Sequence, residues 1–265
     1  MSEALIEAPA AGRASRERDA TSGALIQADA NGVVPGVGGA APPAIPDYLR
    51  EVYHWAYLNP RSLAIFDHDA VVSAILWGNH GRLRDAVLAE IEPGQRVLEM
   101  ACVYGDLSPA LARRIGPLGS LDVIDVAPLQ VANCRRKLAP FPQARARIAD
   151  AAQPGGGPYD AVCCFFLLHE LPDDYKRAVV DAALASLASG GKAIFVDYHR
   201  PHWAHPLRGV MSLVFDLLEP FAKKMWCREI AGFATDGRDF TWRKQTSFGG
   251  LYQITVAKAR TPSRV

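Results

Sequence analysis

Hydrophobic positions along the chain fall into three regimes. Up to Ala44 there is no period, only Ala, Gly, Pro and small polar residues ending in GVVPGVGGAAPPAIP. Such a stretch cannot bury enough apolar area to offset its chain entropy, so residues 1–44 are expected to form a disordered tail. From Ile45 the apolar residues take helical spacing. An aromatic-rich section (Tyr48, Tyr53, His54, Trp55, Tyr57) breaks at Asn59-Pro60, a second run covers Ile65 to Trp77, and a third covers Arg82 to Ile91 before Glu92-Pro93-Gly94. Residues 45–92 therefore read as a helical cap.

From residue 93 short apolar runs alternate with helical segments. Strands are expected at Arg96–Ala101, Ser120–Asp125, Ala144–Ala149, Ala161–Phe166 and Lys192–Asp197, with helices starting near Ser108, Pro128 and Asp173. That alternation predicts an α/β domain over 93–260, with a mostly parallel sheet and helices on both faces. TWRKQTS and YQITVAK, separated by Phe248-Gly249-Gly250-Leu251, predict a C-terminal antiparallel hairpin. Five parallel strands and a terminal antiparallel pair resemble the Rossmann-like architecture of class I methyltransferases.

Residues 205–230 interrupt the pattern as an amphipathic helical insertion. Leu207, Val210, Met211, Val214, Leu217, Leu218, Phe221 and Met225 recur at helical spacing, and Pro220 predicts a kink. Arg208, Ser212, Asp216, Glu219 and Lys223 occupy the opposite face, while Leu213, Phe215 and Trp226 widen the apolar band. With Lys223, Lys224 and Arg228 nearby, the segment is either a lid on the core or a face for a membrane surface or lipophilic substrate.

Composition narrows the functional classes. A net charge of +1 and 22% charged residues offer no concentrated basic face for nucleic acid. The five cysteines lack a CxxC pair and fall mostly in apolar runs, which predicts buried, reduced thiols in a cytoplasmic protein. The first residues show no basic start followed by a continuous apolar segment, so no secretory signal is expected, and no run reaches the length of a membrane span.

Candidate chemistry lies at the carboxyl ends of the strands, where such sheets bind ligands. In VLEMACVYGDLS, Val97–Ser108, the turn that usually carries glycines holds Ala101 and Val103 with Tyr104 beside them, and only Gly105 remains. Glu99 is placed to anchor this loop. Asp125, about 20 residues on, is placed to accept ribose hydroxyls. Its alternative is capping the next helix. Asp150 is placed for an adenine amino group, with Val126, Ala151 and Phe166 completing the expected cofactor wall. Asp122 is expected to face solvent. His169-Glu170 and Asp197-Tyr198-His199 stand at the rim, suited to acid–base work or metal ligation; His202 and His205 cluster nearby.

The segment from Ile65 to Lys258 resembles the ubiquinone/menaquinone methyltransferase group. IFDHDAVVSAILWGNHGRLRDAVL is similar to its pre-loop helix, YDAVCCFFLLHELPD to its fourth-strand motif and GGLYQITVAK to its closing hairpin. The loop departs from that group, having ACVYGD where GCGTG is expected. In this combination Pro46–Ala257 resembles the rhodoquinone-biosynthesis relatives of those methyltransferases. The resemblance implies replacement of a methoxy group of ubiquinone by an amino group. S-adenosylmethionine would be the amino donor, with a divalent metal such as manganese, at the inner face of the cell membrane. Side chains at Val103 and Tyr104 are then expected to push the methionine part of the cofactor into a new pose. Tyr104, His169, Glu170, Asp197 and His199 are the catalytic candidates. Metal ligands stay open among Asp106, His169, Glu170, Asp197 and His199. A conventional quinone methyltransferase and a non-catalytic cofactor-binding protein remain alternatives.

Overall fold

The computed structural model describes residues 43–57, 59–102 and 104–259, so the expected tail up to residue 42, and Val103, lie outside the described residues. Strands β1 (Arg96–Met100), β2 (Ser120–Asp125), β3 (Ala144–Ile148), β4 (Tyr159–Phe165), β5 (Leu187–Tyr198), β6 (Phe240–Ser247) and β7 (Tyr252–Ala259) form one sheet in the order β3-β2-β1-β4-β5-β7-β6. The first five run parallel, and β7 pairs antiparallel with both β5 and β6. This matches the expected doubly wound sheet and hairpin.

Both faces of the central strands are buried, which is why they read as near-continuous apolar runs. Val97, Val123, Cys163 and Ile194 pack on one side with Leu83, Leu111 and Val131. Leu98, Ile124, Cys164 and Phe195 pack on the other with Val179 and Val180. Helices α6 (Leu107–Ile115), α7 (Pro128–Leu138) and α8 (Asp173–Ala185) begin where their sequence signals placed them. Strand β5 starts five residues earlier than Lys192, because Gly191 lets the chain press against Tyr159 and Asp160: a Cβ there would sit 2.9 Å from the Tyr159 carbonyl oxygen.

Three expectations need correction. The run Ile65–Trp77 is not one helix. It splits into α3 (Pro60–Phe66) and α4 (Asp69–Ile75) around Asp67-His68, preceded by α1 (Asp47–Glu51) and α2 (His54–Tyr57) and followed by α5 (His80–Ala89). The insertion is also divided: α9 covers Arg208–Leu218, and after Glu219-Pro220 a short 3-10 turn covers Ala222–Trp226. Proline disfavours helical backbone at the residue before it, so the chain breaks where a kink was expected. Met211 and Phe215 form the buried stripe of α9, whereas Val210, Leu213, Leu217 and Leu218 are exposed. Asp122 does not face solvent. It is buried against its cross-strand neighbour Arg145, whose guanidinium donates to both its oxygens, and the Tyr159 hydroxyl donates to it at 2.7 Å. Burial would raise the Asp122 carboxyl, but these bonds hold it below its usual range.

Four of the five cysteines are buried and free, as expected, while Cys227 is exposed. Among the described residues no helix is long and apolar enough to cross a membrane.

Candidate active site

The strand order reverses between β1 and β4, and a narrow cleft opens at their carboxyl ends. Ala101 leaves β1 at φ 74° and Phe166 leaves β4 at φ 51°. Non-glycine residues held in left-handed backbone store strain and cluster at ligand sites. Both line this cleft with Asp125, Val126, Asp150 and Ala151.

Asp125 Oδ2 accepts from the Cys102 amide at 2.9 Å and Oδ1 from the Ala127 amide at 2.7 Å, so this carboxylate bridges the first and second strand ends. The carboxylate does not cap α7, whose N-cap is Ala127, without a side-chain cap bond. Burial pushes Asp125 up to about 6 against these amide bonds, leaving it ionised near neutral pH. Asp150 accepts from the Ala152 amide at 2.8 Å and from the Tyr175 hydroxyl, and Tyr175 packs on Tyr48 of the cap. Glu99 lies beneath the loop, fully buried. Burial pushes it up to about 7; Ser108 pulls it down without an aligned hydrogen bond to either carboxylate oxygen.

The loop is pinned from the cap. Asp67 Oδ1 accepts from the Gly105 amide at 3.3 Å and from Lys137 Nζ at 2.6 Å, and Lys137 also donates to the Gly105 carbonyl at 2.7 Å. Gly105 has φ 92°, and a Cβ there would meet the His80 ring at 3.0 Å. That double demand explains why this glycine alone is retained. Tyr104 stacks on Tyr57 at 5.6 Å, leans on Phe66 and accepts from Gln130.

A second, largely apolar cleft of about 1450 Å³, counting its open mouth, adjoins the first. Tyr57, Phe166 and Glu170 line both, and Tyr104, His169, Tyr198 and Glu219 line the second. At the shared wall Tyr57 donates to Glu170. His169 Nδ1 lies 3.0 Å from Asp197 Oδ1, off the line of a good hydrogen bond, and Nε2 lies 3.7 Å from Glu219 and 3.9 Å from Glu170. Burial works to lower His169, but Asp197, Glu219 and Glu170 outweigh it and raise the ring to about 9. Burial raises Glu170 to about 8, opposed by His169 and the Tyr57 bond.

Of the catalytic candidates, the structure brings His169, Glu170 and Tyr104 together. Asp197 is not a rim group: it is buried, and its Oδ2 accepts from the His169 amide at 3.2 Å. His199 belongs to a separate polar cleft, where Nδ1 meets the Gly250 carbonyl and Nε2 meets Lys244, because the chain turns away from the sheet edge after Tyr198. The rim metal set is not assembled. Among the described residues the group of three close donors is Asp69, His80 and Asp106 instead, and Asp106 also pairs with Arg84 at 2.6 Å. Glu219, expected on the polar helix face, points inward, because the helix ends beside it. Tyr53 and Tyr57 also belong to this wall; their four-residue spacing ahead of the loop is the one sequence signal for it.

If Asp125 contacts the ribose of S-adenosylmethionine, Asp125→Ala weakens calorimetric binding at least tenfold with unchanged circular dichroism, a charge-assisted contact being lost. Equal affinity in mutant and parent removes that contact.

Residues 97–191 match the methyltransferase domain family. A ubiquinone biosynthesis O-methyltransferase of Acinetobacter baylyi is 25% identical over 160 residues, 54% of this chain; the chain spans 64% of that relative's length. An uncharacterized methyltransferase of Synechocystis is 27% identical over 77% of this chain and 94% of its own. The crystal structure of a SAM-dependent methyltransferase from Aquifex aeolicus superposes with a TM-score of 0.52 at 14% identity, over 76% of this chain and 99% of that one. The chain thus has the Rossmann-like fold of class I methyltransferases, and its residues 97–191 are similar to the methyltransferase domain.

Proposed function

We propose that this chain is a transferase that places the amino group of S-adenosylmethionine on a ubiquinone-like ring in place of a methoxy group, with a divalent metal. One observation carries the reading: at the junction of the two clefts the His169 ring lies within 4 Å of the Asp197, Glu219 and Glu170 carboxyl groups, a setting that favours its protonated form. Methyl transfer to a quinol oxygen draws on a base. Addition of an amine to a quinone draws on an acid beside the carbonyl oxygen where charge develops.

In this reaction the amine nitrogen attacks the ring carbon bearing the methoxy group, and His169 donates its Nε2 proton to the ring carbonyl oxygen. Collapse of the adduct reforms the carbonyl, returns that proton and expels the methoxy group, which leaves with a proton as methanol. S-adenosylmethionine, when bound, would supply the nitrogen; its release from the donor's Cα would pass the Cα–H and N–H protons with one electron pair to the ring, leaving an aminoquinol, and water would release the donor skeleton as a 2-oxo acid. Asp197 and Glu219 keep His169 charged, Tyr57 orients Glu170, and the Tyr104–Tyr57 stack walls the two clefts.

Support for a lipophilic substrate comes from the second cleft, whose mouth carries the half-exposed Ile75, Trp77 and Leu218. The exposed Val210, Leu213 and Leu217 of α9 continue this apolar rim, which suits peripheral contact with the inner face of a membrane. The Acinetobacter relative's name favours a second reading, plain O-methylation of a quinol.

Label transfer separates the two. S-adenosylmethionine carrying heavy nitrogen at its amino group passes that label to the quinone, whereas methyl-labelled cofactor passes nothing. A methyl label in the product establishes the second reading instead.

Rate at saturating substrates falls as pH rises through about 9, where His169 loses its proton. His169→Gln is slower by at least a hundredfold and lacks this basic limb; a limb unchanged in that variant removes His169 as the acid.

Leu213→Glu with Leu217→Glu leaves unfolding unchanged, since both side chains are exposed, but reduces sedimentation with vesicles at least tenfold. Unchanged sedimentation removes the membrane contact.

A further inference from the structure

Gly105 touches a second group besides the Asp67–Lys137 clamp. Asp69 opens α4, His80 opens α5 and Asp106 immediately precedes α6. One donor atom from each lies within 4.8 Å of the others. His80 is 3% exposed, and its Nε2 is buried without a hydrogen-bond partner, as is Asp106 Oδ1. Buried polar atoms are normally satisfied, so two orphans converging on one point mark a missing partner. Both positions are held from outside the group. The Asn79 amide donates to the Leu76 and Trp77 carbonyls and fixes the turn that delivers His80, while Arg84 holds the other oxygen of Asp106 at 2.6 Å. Supporting bonds of this kind orient metal ligands.

We infer that Asp69, His80 and Asp106 hold one divalent cation, which clamps helices α4 and α5 of the cap to the cofactor loop. The donor set is one imidazole and two carboxylates with no thiolate, which suits manganese-type borderline-hard cations and not soft copper(I). Three protein ligands leave coordination positions for water. The ion adds to the Arg84–Asp106 pair and the Gly105 contacts in tying three segments together, and it supplies the partner that the two buried atoms lack. The clamp's service to the reaction rests on the transferase reading; the site itself rests on its geometry alone.

The test uses the full chain stripped with chelator and titrated with manganese(II) alone, without cofactor or quinone. Free manganese is followed by electron paramagnetic resonance, and stability by thermal unfolding. One ion binds per chain and raises the unfolding temperature. Asp69→Asn and His80→Gln each weaken binding at least tenfold, whereas His169→Gln leaves it unchanged. Asp69 is exposed, so its variant keeps the fold and decides the matter should His80→Gln unfold. Absence of saturable binding, equal affinity in Asp69→Asn, or selective loss in His169→Gln overturns the site. Because no quinone is present, that failure is distinguishable from failure of the amination reading, which label transfer alone decides.

Discussion

The site depends on how one short loop is held. The Asp67 carboxylate, on the cap, takes the Gly105 amide while Lys137, on α7, takes the Gly105 carbonyl and closes on Asp67. Asp67 and Lys137 are largely buried, so their attraction is little screened, and the backbone bonds satisfy what the pair leaves open. Asp125 grips the same loop from the second strand through the Cys102 amide. With the backbone pinned at Cys102 and Gly105, Tyr104 stays stacked on Tyr57 without glycine-driven flexibility. A loop filled with side chains is therefore a wall between two clefts as well as a cradle for one.

Electrostatics at that wall follow from burial more than from any single pair. His169, Glu170, Asp197 and Glu219 are packed among aromatic rings, where an isolated charge is costly. Burial raises the Glu170 carboxyl, and the carboxyl groups around His169 raise its ring against burial. Polar atoms of the cleft lining, including the Tyr53 hydroxyl and Glu219 Oε2, lack hydrogen-bond partners. An apolar cleft ending in unsatisfied polar groups is shaped for a ligand that is mostly hydrocarbon with a polar head.

Helix α9 serves two neighbours at once. Met211 and Phe215 seat it on the core, Val214 and Leu218 line the apolar cleft, and Leu213 and Leu217 face outward. An apolar band wider than one core contact needs is what a helix must carry to do all three. Its abrupt end at Pro220 turns Glu219 inward, so a helix-breaking residue helps to assemble the polar end of the cleft.

The sequence by itself determined the sheet, the loop and the first cleft. Strands buried on both faces read as short continuous apolar runs and helices as a 3.6-residue period, and both signals are local, so β1 to β5, α6 to α8 and the hairpin were legible. Asp125 was legible because strand ends face the ligand in any parallel sheet of this order. The tertiary structure alone decided the rest. Local pattern carries no information on which distant side chains share a cavity. Glu219 therefore read as surface, Asp122 as solvent-facing and His199 as catalytic, although they lie in a cleft wall, a buried ion pair and a separate polar cleft. The grouping of Asp69, His80 and Asp106 likewise spans three elements whose meeting depends on the packing of the cap against the sheet, a long-range outcome that no spacing along the chain encodes.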